Sequence, residues 1–259
     1  RGHAVSLGLG YEHRAPMAST AFAAPEINND FVQDLKNEHI FSSELGYQYK
    51  GSWLNANISA YYSRMQNVTE WQNYYYDDVN SFTYVSMTGL KKEFYGIEAG
   101  LKFKLASFLD LKALGTISEA KNINNSKLRY MNSTQGTYVT DDIYNKGMRE
   151  SGTPLTAASL GLSYHQGGWF IDLDCNYYDR IYLSYSPSYR YKTSLTNRAG
   201  TTEASRNEIF DENDQPRKSA LAQAKGHGGF MLDGSIGRSI YLKKGSLSIN
   251  LMVTNILNN

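Results

Sequence analysis

Apolar and polar residues alternate along nine segments of this chain of 259 residues. In one of them, FYGIEAGLKFKL at 94–105, the apolar Tyr95 and Ile97 flank Gly96. Successive side chains of a strand point to opposite faces, so each segment predicts a strand with one apolar face. Each segment has roughly the 9–11 residues with which a tilted strand crosses a bilayer. The other segments begin near Val5, Phe41, Leu54, Leu109, Ala158, Trp169, Phe230 and Leu247.

The composition favours an all-β fold, because Tyr (21 residues) and Gly (22) are common whereas Pro (5) is scarce. Cys175 is the only cysteine, which excludes an intrachain disulfide and a cysteine metal cluster. No run of 18 apolar residues occurs, which excludes a transmembrane helix but not a transmembrane strand. The net charge of +1 provides no attraction to nucleic acid, and no nucleic-acid partner is predicted.

The connections between the predicted strands differ in length in a regular way. Four are short, around residues 51, 106–107, 167–168 and 243–245, and four are long, about 14–39, 65–93, 119–154 and 184–228. Short and long connections alternate, so all long loops emerge at one end of the sheet. Outer-membrane β-barrels have this asymmetry, with short periplasmic turns and long extracellular loops. A soluble sandwich of lectin-like or immunoglobulin-like type explains the alternation within strands but not the loop lengths.

Aromatic residues on the outward faces fall at two levels, as they do at the two interfaces of a membrane. The alternative is that aromatic residues simply favour strands, which explains their number but not their levels. The level near the long loops contains Tyr11, Phe41, Tyr62, Tyr95, Tyr177 and Phe230, and the level near the short turns contains Tyr49, Phe103, Tyr164 and Trp169. These positions predict an antiparallel transmembrane barrel. Because single-chain bacterial barrels have even strand numbers, nine strands indicate part of a larger barrel.

Several stretches, in this order and spacing, resemble the C-terminal half of the barrel of TonB-dependent outer-membrane receptors. The residues that carry the resemblance are Leu35, Glu38, Glu44, Leu45, Gly46, Tyr47, Ala60, Tyr61, Tyr62, Tyr95, Gly96, Ile97, Glu98, Gly152, Pro154, Val253, Asn255 and Asn258. The resemblance implies a barrel of roughly 22 strands, of which residues 1–259 supply about nine. The family's plug, TonB box and last strand are expected to lie outside the sequence.

The resemblance also implies a function and a location. The protein is expected to be an active-transport receptor in the outer membrane of a Gram-negative bacterium. It would import a scarce nutrient (a siderophore, cofactor, glycan or peptide) with energy from TonB. The implied partners are the TonB complex, outer-membrane lipid and lipopolysaccharide, the extracellular nutrient and a surface lipoprotein. No cofactor is predicted.

The residues themselves leave two other functions open. A passive pore or a surface adhesin would also be built on an outer-membrane barrel. A membrane-embedded hydrolase would use Asp172 and Asp174, two residues apart on one strand face, although carboxylates that face a hydrated pore are the more common case. No catalytic or metal-binding motif is present: the five histidines form no i, i+4 pair, and HExxH, the P-loop and G-x-S-x-G are absent. The protein is therefore not predicted to be an enzyme.

Two aromatic clusters in the long loops are the candidate ligand-binding sites. Rings that carry a polar group can bind amphipathic ligands, whereas the alternative is that they pack laterally between hairpins. The clusters are Trp71, Tyr74, Tyr75, Tyr76, Phe82 and Tyr84 in the second long loop, and Tyr185, Tyr189, Arg190 and Tyr191 in the fourth.

Overall fold

The computed structural model describes residues 2–76, 80–134 and 136–258. The strands in these ranges form one antiparallel β-sheet. Three short helices, α1 (Ala18–Ala21), α2 (Lys192–Ala199) and α3 (Glu203–Ile209), lie in the long connections. None of the helices in these ranges is long and apolar enough to cross a membrane. The strands are β1 (Gly2–Arg14), β2 (Glu38–Lys50), β3 (Leu54–Tyr76), β4 (Ser81–Ala106), β5 (Leu109–Asn122), β6 (Ser126–Asn132), β7 (Tyr138–Ile143), β8 (Pro154–Gln166), β9 (Trp169–Ile181), β10 (Gly229–Leu242) and β11 (Gly245–Val253).

Nine strands pair in the order β1-β2-β3-β4-β5-β8-β9-β10-β11, which confirms the predicted sheet. The sequence did not predict β6 and β7, which form a hairpin that adds to the outer part of β4. All four short connections lie at one end of the sheet. The turn at Gly167 and Gly168, for example, has two residues with φ of 60° and 83°, the left-handed conformation that a tight hairpin needs.

The two faces of the sheet differ in chemistry as the alternation predicts. One face carries small and polar side chains such as Ser59 and Glu98, and it curves around a groove of about 900 Å³ lined by residues of β1 to β5, β8 and β9. The opposite, convex face exposes apolar side chains such as Ile97 (59% exposed) and Ile117 (66% exposed). Exposed apolar side chains over a whole sheet face are expected where the surrounding medium is lipid rather than water.

Aromatic residues lie near both ends of the convex face. Toward the long connections, Tyr62 and Tyr95 are directly opposite each other, and the rings of Tyr177 and Phe230 are 4.8 Å apart. Toward the short turns, the guanidinium of Arg238 lies 5.0 Å from the ring of Trp169. This arrangement suits a membrane interface, where a ring and a cation sit at the level of the headgroups.

The second predicted loop, residues 65–93, is mostly strand, which corrects its predicted boundaries. β3 and β4 continue beyond the membrane-facing part and pair as far as Tyr76 and Ser81. The pairing shifts register twice between Met65 and Glu70, and Asn67 has φ of 58°. These bulges interrupt the alternation of apolar and polar residues. Because of this interruption, the sequence alone predicts that both strands end there, whereas they continue in the structure.

The other three long connections contain secondary structure of their own. The connection from Arg14 to Glu38 contains α1, and the one from Ile181 to Gly229 contains a short 3₁₀ turn at Pro187–Tyr189, α2 and α3. The third, between β5 and β8, contains the β6–β7 hairpin. Most of the buried apolar side chains lie in this outer part of the molecule rather than along the membrane-facing strands.

Candidate functional site

The outer parts of β3 and β4 (residues 65–76 and 81–93), which we call the β3–β4 extension, form a rigid support for the long connections. The main apolar cluster has side chains from β3, β4, β6 and β7, and most of them are completely buried. Residues of this cluster are Val68, Val85, Met87, Leu90, Leu128, Ile143 and Tyr191. Tyr191 immediately precedes α2, so the cluster fixes the start of this helix over the hairpin.

The fourth long connection and the outer end of β3 enclose a cavity of about 510 Å³. We call it the tyrosine cavity; its lining residues are Tyr74, Tyr75, Tyr76, Ser186, Ser188, Tyr189, Ser194, Asn197 and Arg198. Small-molecule sites in proteins have volumes of about 300–1,000 Å³. The cavity joins the two aromatic clusters that the sequence singled out, although they are more than a hundred residues apart in the chain.

The wall of the tyrosine cavity combines aromatic rings with hydroxyl groups and one positive charge. Ser186 and Ser188 share a hydrogen bond of 2.8 Å between their Oγ atoms, and Ser194 Oγ donates to the carbonyl of Ser188. The guanidinium of Arg198 lies 5.9 Å from the ring of Tyr189 and donates to the carbonyl of Ala220 at 3.2 Å. None of the described lining residues carries a carboxylate, and Arg198 provides a positive charge, so this part of the lining favours neutral or anionic groups.

Tyr74 is a half-buried ring of the cavity wall. Burial raises the pKa of its hydroxyl to about 12. The Oη atom is buried close to Tyr191 and Ser188 but makes no hydrogen bond of standard geometry. A buried hydroxyl without a well-aligned partner carries a desolvation cost.

Three of the predicted residues are exposed. Tyr189 is 62% exposed, Tyr75 48% and Phe82 50%. The rings of Tyr75 and Phe82 meet edge to face, with centroids 5.4 Å apart, outside the buried clusters. Tyr189 and Tyr75 line the cavity, whereas Phe82 does not. Exposed aromatic rings next to a cavity are available to a ligand.

Other predicted residues have structural contacts. Tyr191 is buried, and burial raises the pKa of its hydroxyl above the usual value. Arg190 is also buried; its guanidinium donates to the carbonyls of Leu221 (2.8 Å) and Ala222 (3.1 Å) and lies 4.9 Å from the ring of Tyr185. The Arg190 hydrogen bonds tie the beginning of the fourth long connection to its later part at residues 221–222.

Trp71 and Tyr84 pack together with the first long connection. Their rings are 6.2 Å apart, Trp71 Nε1 donates to the carbonyl of Ala23 at 3.0 Å, and Tyr84 Oη donates to Glu26 at 2.9 Å. Tyr84 is only 5% exposed. This pair therefore anchors the α1 connection to the β3–β4 extension.

A second cavity, of about 410 Å³, is lined by charged groups and by Trp71 and Tyr185. Lys92 lies at its wall and forms ion pairs with Glu70 and, at 2.6 Å, with Glu150. Burial alone would lower the pKa of Lys92, but the two carboxylates outweigh it and raise the pKa above 10.5. The charged side chains of this wall neutralise each other, which makes it less suited than the tyrosine cavity to bind a charged ligand.

We expect Lys92→Met to destabilise the β3–β4 extension by about 2 kcal/mol, less than the ~3–5 kcal/mol of a fully buried pair because both carboxylates are partly exposed. Because the pKa of Lys92 is raised on folding, its stabilisation is complete below pH 10.5 and is lost as the pH rises through the folded value. Hydrogen exchange of the amides of 65–93 measures the change. Lys127→Met, which removes a lysine from a more exposed ion pair, is the control and should leave exchange unchanged.

The sequence identified the tyrosines of the cavity but missed its polar wall. Ser186, Ser188 and Ser194 lack a distinctive motif, and Asn197 and Arg198 lie on α2, which was not predicted. The only signal that the sequence offers for these polar residues is their closeness to one another along the fourth long connection. Among the described residues, no three His, Cys, Asp or Glu side chains are grouped as a closed metal site requires.

Comparison with known proteins agrees with this geometry. Residues 5–223 match the family described as TonB dependent receptor-like, beta-barrel. No curated protein matches the chain. The matched family is one of receptors, which gives no support to the hydrolase alternative built on Asp172 and Asp174.

Three solved structures have the same fold over almost the whole chain. The copper transporter OprC has a TM-score of 0.61 and 17% identity over 98% of this chain and 31% of its own. The FrpB iron transporter from Neisseria meningitidis has a TM-score of 0.56 and 14% identity, with coverages of 99% and 33%. P. aeruginosa FpvA, solved with heterologous pyoverdines, has a TM-score of 0.54 and 14% identity, with coverages of 99% and 27%.

The chain thus spans about a third of the length of the solved structures that it matches. Its nine-stranded path, its apolar convex face and its long connections at one end correspond to a stretch of a barrel wall. With the family match over most of its length, the chain belongs to the TonB-dependent receptor family, as part of a β-barrel in the outer membrane of a Gram-negative bacterium.

Proposed function

We propose that this chain is part of a receptor that imports a scarce nutrient across the outer membrane with energy from TonB, and that the tyrosine cavity binds the nutrient. The cavity itself is the observation that carries the proposal. It lies at the end of the sheet where the long connections emerge, and its exposed rings, Tyr75 and Tyr189, are accessible from outside. A rigid sheet that presents variable connections is a common basis for ligand binding.

The lining of the cavity favours an organic ligand over a bare metal ion. The described lining residues are tyrosines, serines, an asparagine and Arg198, and none of them is a histidine, cysteine or carboxylate that would coordinate a metal directly. Hydroxyl groups and a guanidinium instead match a ligand with several oxygens and a negative charge. A ferric siderophore has these properties, and the family membership supports the dependence on TonB.

The test uses the complete receptor that contains this chain, expressed in its own outer membrane. The double variant Tyr75→Ala/Tyr189→Ala should bind a ferric siderophore at least tenfold more weakly, since each ring contributes roughly 0.5–1.5 kcal/mol beyond its buried area. Binding and uptake are measured with radioactive iron. A panel of hydroxamate, catecholate and mixed-chelate siderophores, with cupric ion for comparison, identifies the ligand.

A matched control removes an exposed ring elsewhere at the same end. Phe31, 67% exposed, lies in the first long connection and stacks on Phe22, away from the tyrosine cavity. Phe31→Ala should bind and import as the parent does, with equal barrel abundance for all variants. Import that persists without TonB would indicate a passive pore, and binding that is unchanged in the double variant would exclude the cavity as the site.

A further inference from the structure

Two histidines lie directly opposite each other on neighbouring strands, at the end of the sheet where the long connections emerge. His13 is in the last turn of the pleat of β1 (Gly2–Arg14), His39 is the second residue of β2 (Glu38–Lys50), and the register pairs them across the two strands. Directly opposite residues share a face of the sheet and have Cβ atoms about 4.5–5.5 Å apart. The two histidines are too far apart in the chain to form a local motif, so only the strand pairing brings them together.

The histidine pair lies on the convex face, beyond the level of the interfacial aromatic residues. Tyr11 and Phe41 are the next outward-facing partners on the two strands, two residues closer to the short turns. Two strand residues advance about 6–7 Å, so the imidazoles lie at that distance beyond the aromatic level, on the side of the long connections. His13 is exposed and His39 is half-buried. A hydrated ion from the medium can therefore reach both rings.

The spacing of the two imidazole rings suits a shared metal ion. The ring centres of His13 and His39 are 4.3 Å apart, and the ring planes are inclined at 65°. Two imidazoles that bind one ion through nitrogens at about 2.0–2.1 Å, with a right angle between the two bonds, have ring centres about 4.5 Å apart. Aromatic rings that only pack against each other have centres about 4.5–7 Å apart, so the observed pair is close even for packed rings. The separation is thus near the one that a shared ion requires.

Tyr11 contacts both imidazole rings. Its hydroxyl shares a hydrogen bond of 3.1 Å with Nδ1 of His39, and its ring meets the ring of His13 edge to face with centres 5.1 Å apart. Histidines that bind a metal through one ring nitrogen almost always use the other for a hydrogen bond, which fixes the tautomer and the ring orientation. When Nδ1–H of His39 donates to Tyr11, Nε2 carries the lone pair that can bind the ion. Tyr11 is therefore a positioning residue for His39.

An ion pair on the opposite face fixes the two strands next to the histidines. Arg14 and Glu38 are the next cross-strand partners, and their side chains form an ion pair of 2.7 Å in which Glu38 is buried. This contact keeps β1 and β2 in register at the beginning of the first long connection. A metal ion bound by both histidines would add a second link at the same point. It would close the loop of residues 14–38, and a link that closes a long loop stabilises the folded state.

We propose that His13 and His39 bind a divalent transition-metal ion, Cu²⁺ or Zn²⁺, on the outer wall of the sheet. Imidazole is a ligand that suits these ions, whereas Mg²⁺ and Ca²⁺ require oxygen ligands. The described part of the chain contains no group of three His, Cys, Asp or Glu side chains that could hold a metal, so the two histidines are joined by water in the remaining positions and the ion is exchangeable. The site is separate from the tyrosine cavity and does not depend on the nutrient that the receptor imports.

The experiment titrates the complete receptor with Cu²⁺, in an uncharged detergent and without a histidine tag. The parent should bind one Cu²⁺ per chain more tightly than His13→Gln or His39→Gln, and the paramagnetic resonance spectrum of that ion should show two imidazole nitrogens. Each variant loses one of two direct ligands, so the affinity should fall at least about tenfold, the smallest effect that loss of an outer-shell partner has. Tyr11→Phe keeps both ligands, and it should weaken binding about tenfold while the two-nitrogen spectrum is retained. Excess Zn²⁺ should compete with Cu²⁺ for the site.

His3→Gln is the matched control, because His3 lies on the same face of β1 but at the opposite end, where its cross-strand partner is Tyr49. This variant should bind Cu²⁺ as the parent does, and all variants should have the melting temperature of the parent when no metal is present. Equal Cu²⁺ affinity in the parent and in His13→Gln or His39→Gln would overturn the proposal, as would an equal loss in His3→Gln. A parent spectrum with a single imidazole nitrogen would also overturn it, and this measurement needs no variant to fold.

Discussion

Ile58→Arg should prevent assembly of the barrel in the outer membrane. Ile58 lies in the middle of the membrane-facing part of β3, on the convex face, and is 41% exposed. Its cross-strand neighbours are Tyr47 and Ala99, so the position is surrounded by apolar side chains of the same face. An arginine near the midplane of the bilayer costs about 2–4 kcal/mol, which is a large fraction of the stability of a protein domain.

The adjacent residue provides the control for this prediction. Asn57 points to the concave face, where its Oδ1 accepts a hydrogen bond of 2.9 Å from Gln48 Nε2, and Asn57→Arg should be tolerated. Folding yields of the complete receptor in lipid vesicles, and its abundance in the outer membrane, are measured for both variants. Equal yields would contradict the assignment of the convex face to lipid and would favour a soluble sheet.

The membrane-facing sheet could be predicted because its information is local. Along β4, for example, Tyr95, Ile97 and Ala99 alternate with Gly96 and Glu98, and the structure places the first three on one face. Short turns such as Gly167-Gly168 carry their own conformational signal in the residue type. Alternation and turn chemistry therefore specify the pairing order of consecutive strands without any long-range contact.

The outer part of the molecule could not be predicted in the same way. The bulges near Asn67 break the alternation, although β3 continues for many residues beyond them. The β6 strand, which begins at Ser126, is a short segment whose stability comes from packing on β4, not from a pattern of its own. Its existence depends on contacts between distant segments, which alternation does not encode.

The candidate site shows the same division between local and long-range information. Tyrosines 74–76 and Tyr189 were singled out from the sequence because rings that carry a polar group are clustered in the predicted long loops. Whether a given ring is exposed or buried was not predictable, because Tyr189 and Tyr191 are two residues apart but are 62% and 6% exposed. Tyr191 is buried because it fits into the apolar cluster on β4 and β6, and this packing depends on the tertiary structure.

Leu128→Ala should unfold the outer hairpin while the membrane-facing sheet remains intact. Leu128 is fully buried in the cluster that joins β6 to β4 and to Tyr191. Removal of a buried leucine side chain costs about 2–5 kcal/mol, and β6 is a strand of only seven residues. Because Tyr191 fixes the start of α2 beside Tyr74, the loss should also disorder the tyrosine cavity and weaken ligand binding.

Hydrogen exchange separates this local effect from global unfolding. The amides of 81–90 and 126–143 should exchange faster in Leu128→Ala, whereas those of β8 and β9 should exchange as in the parent. Val139→Ala, on the neighbouring strand β7 with 39% exposure, removes an exposed side chain of the same hairpin and should have little effect. Unchanged exchange in Leu128→Ala would contradict a cooperative role for the cluster. Faster exchange throughout the sheet would mean that the outer hairpin and the barrel wall fold as one unit, because the strands β3 and β4 are shared by both.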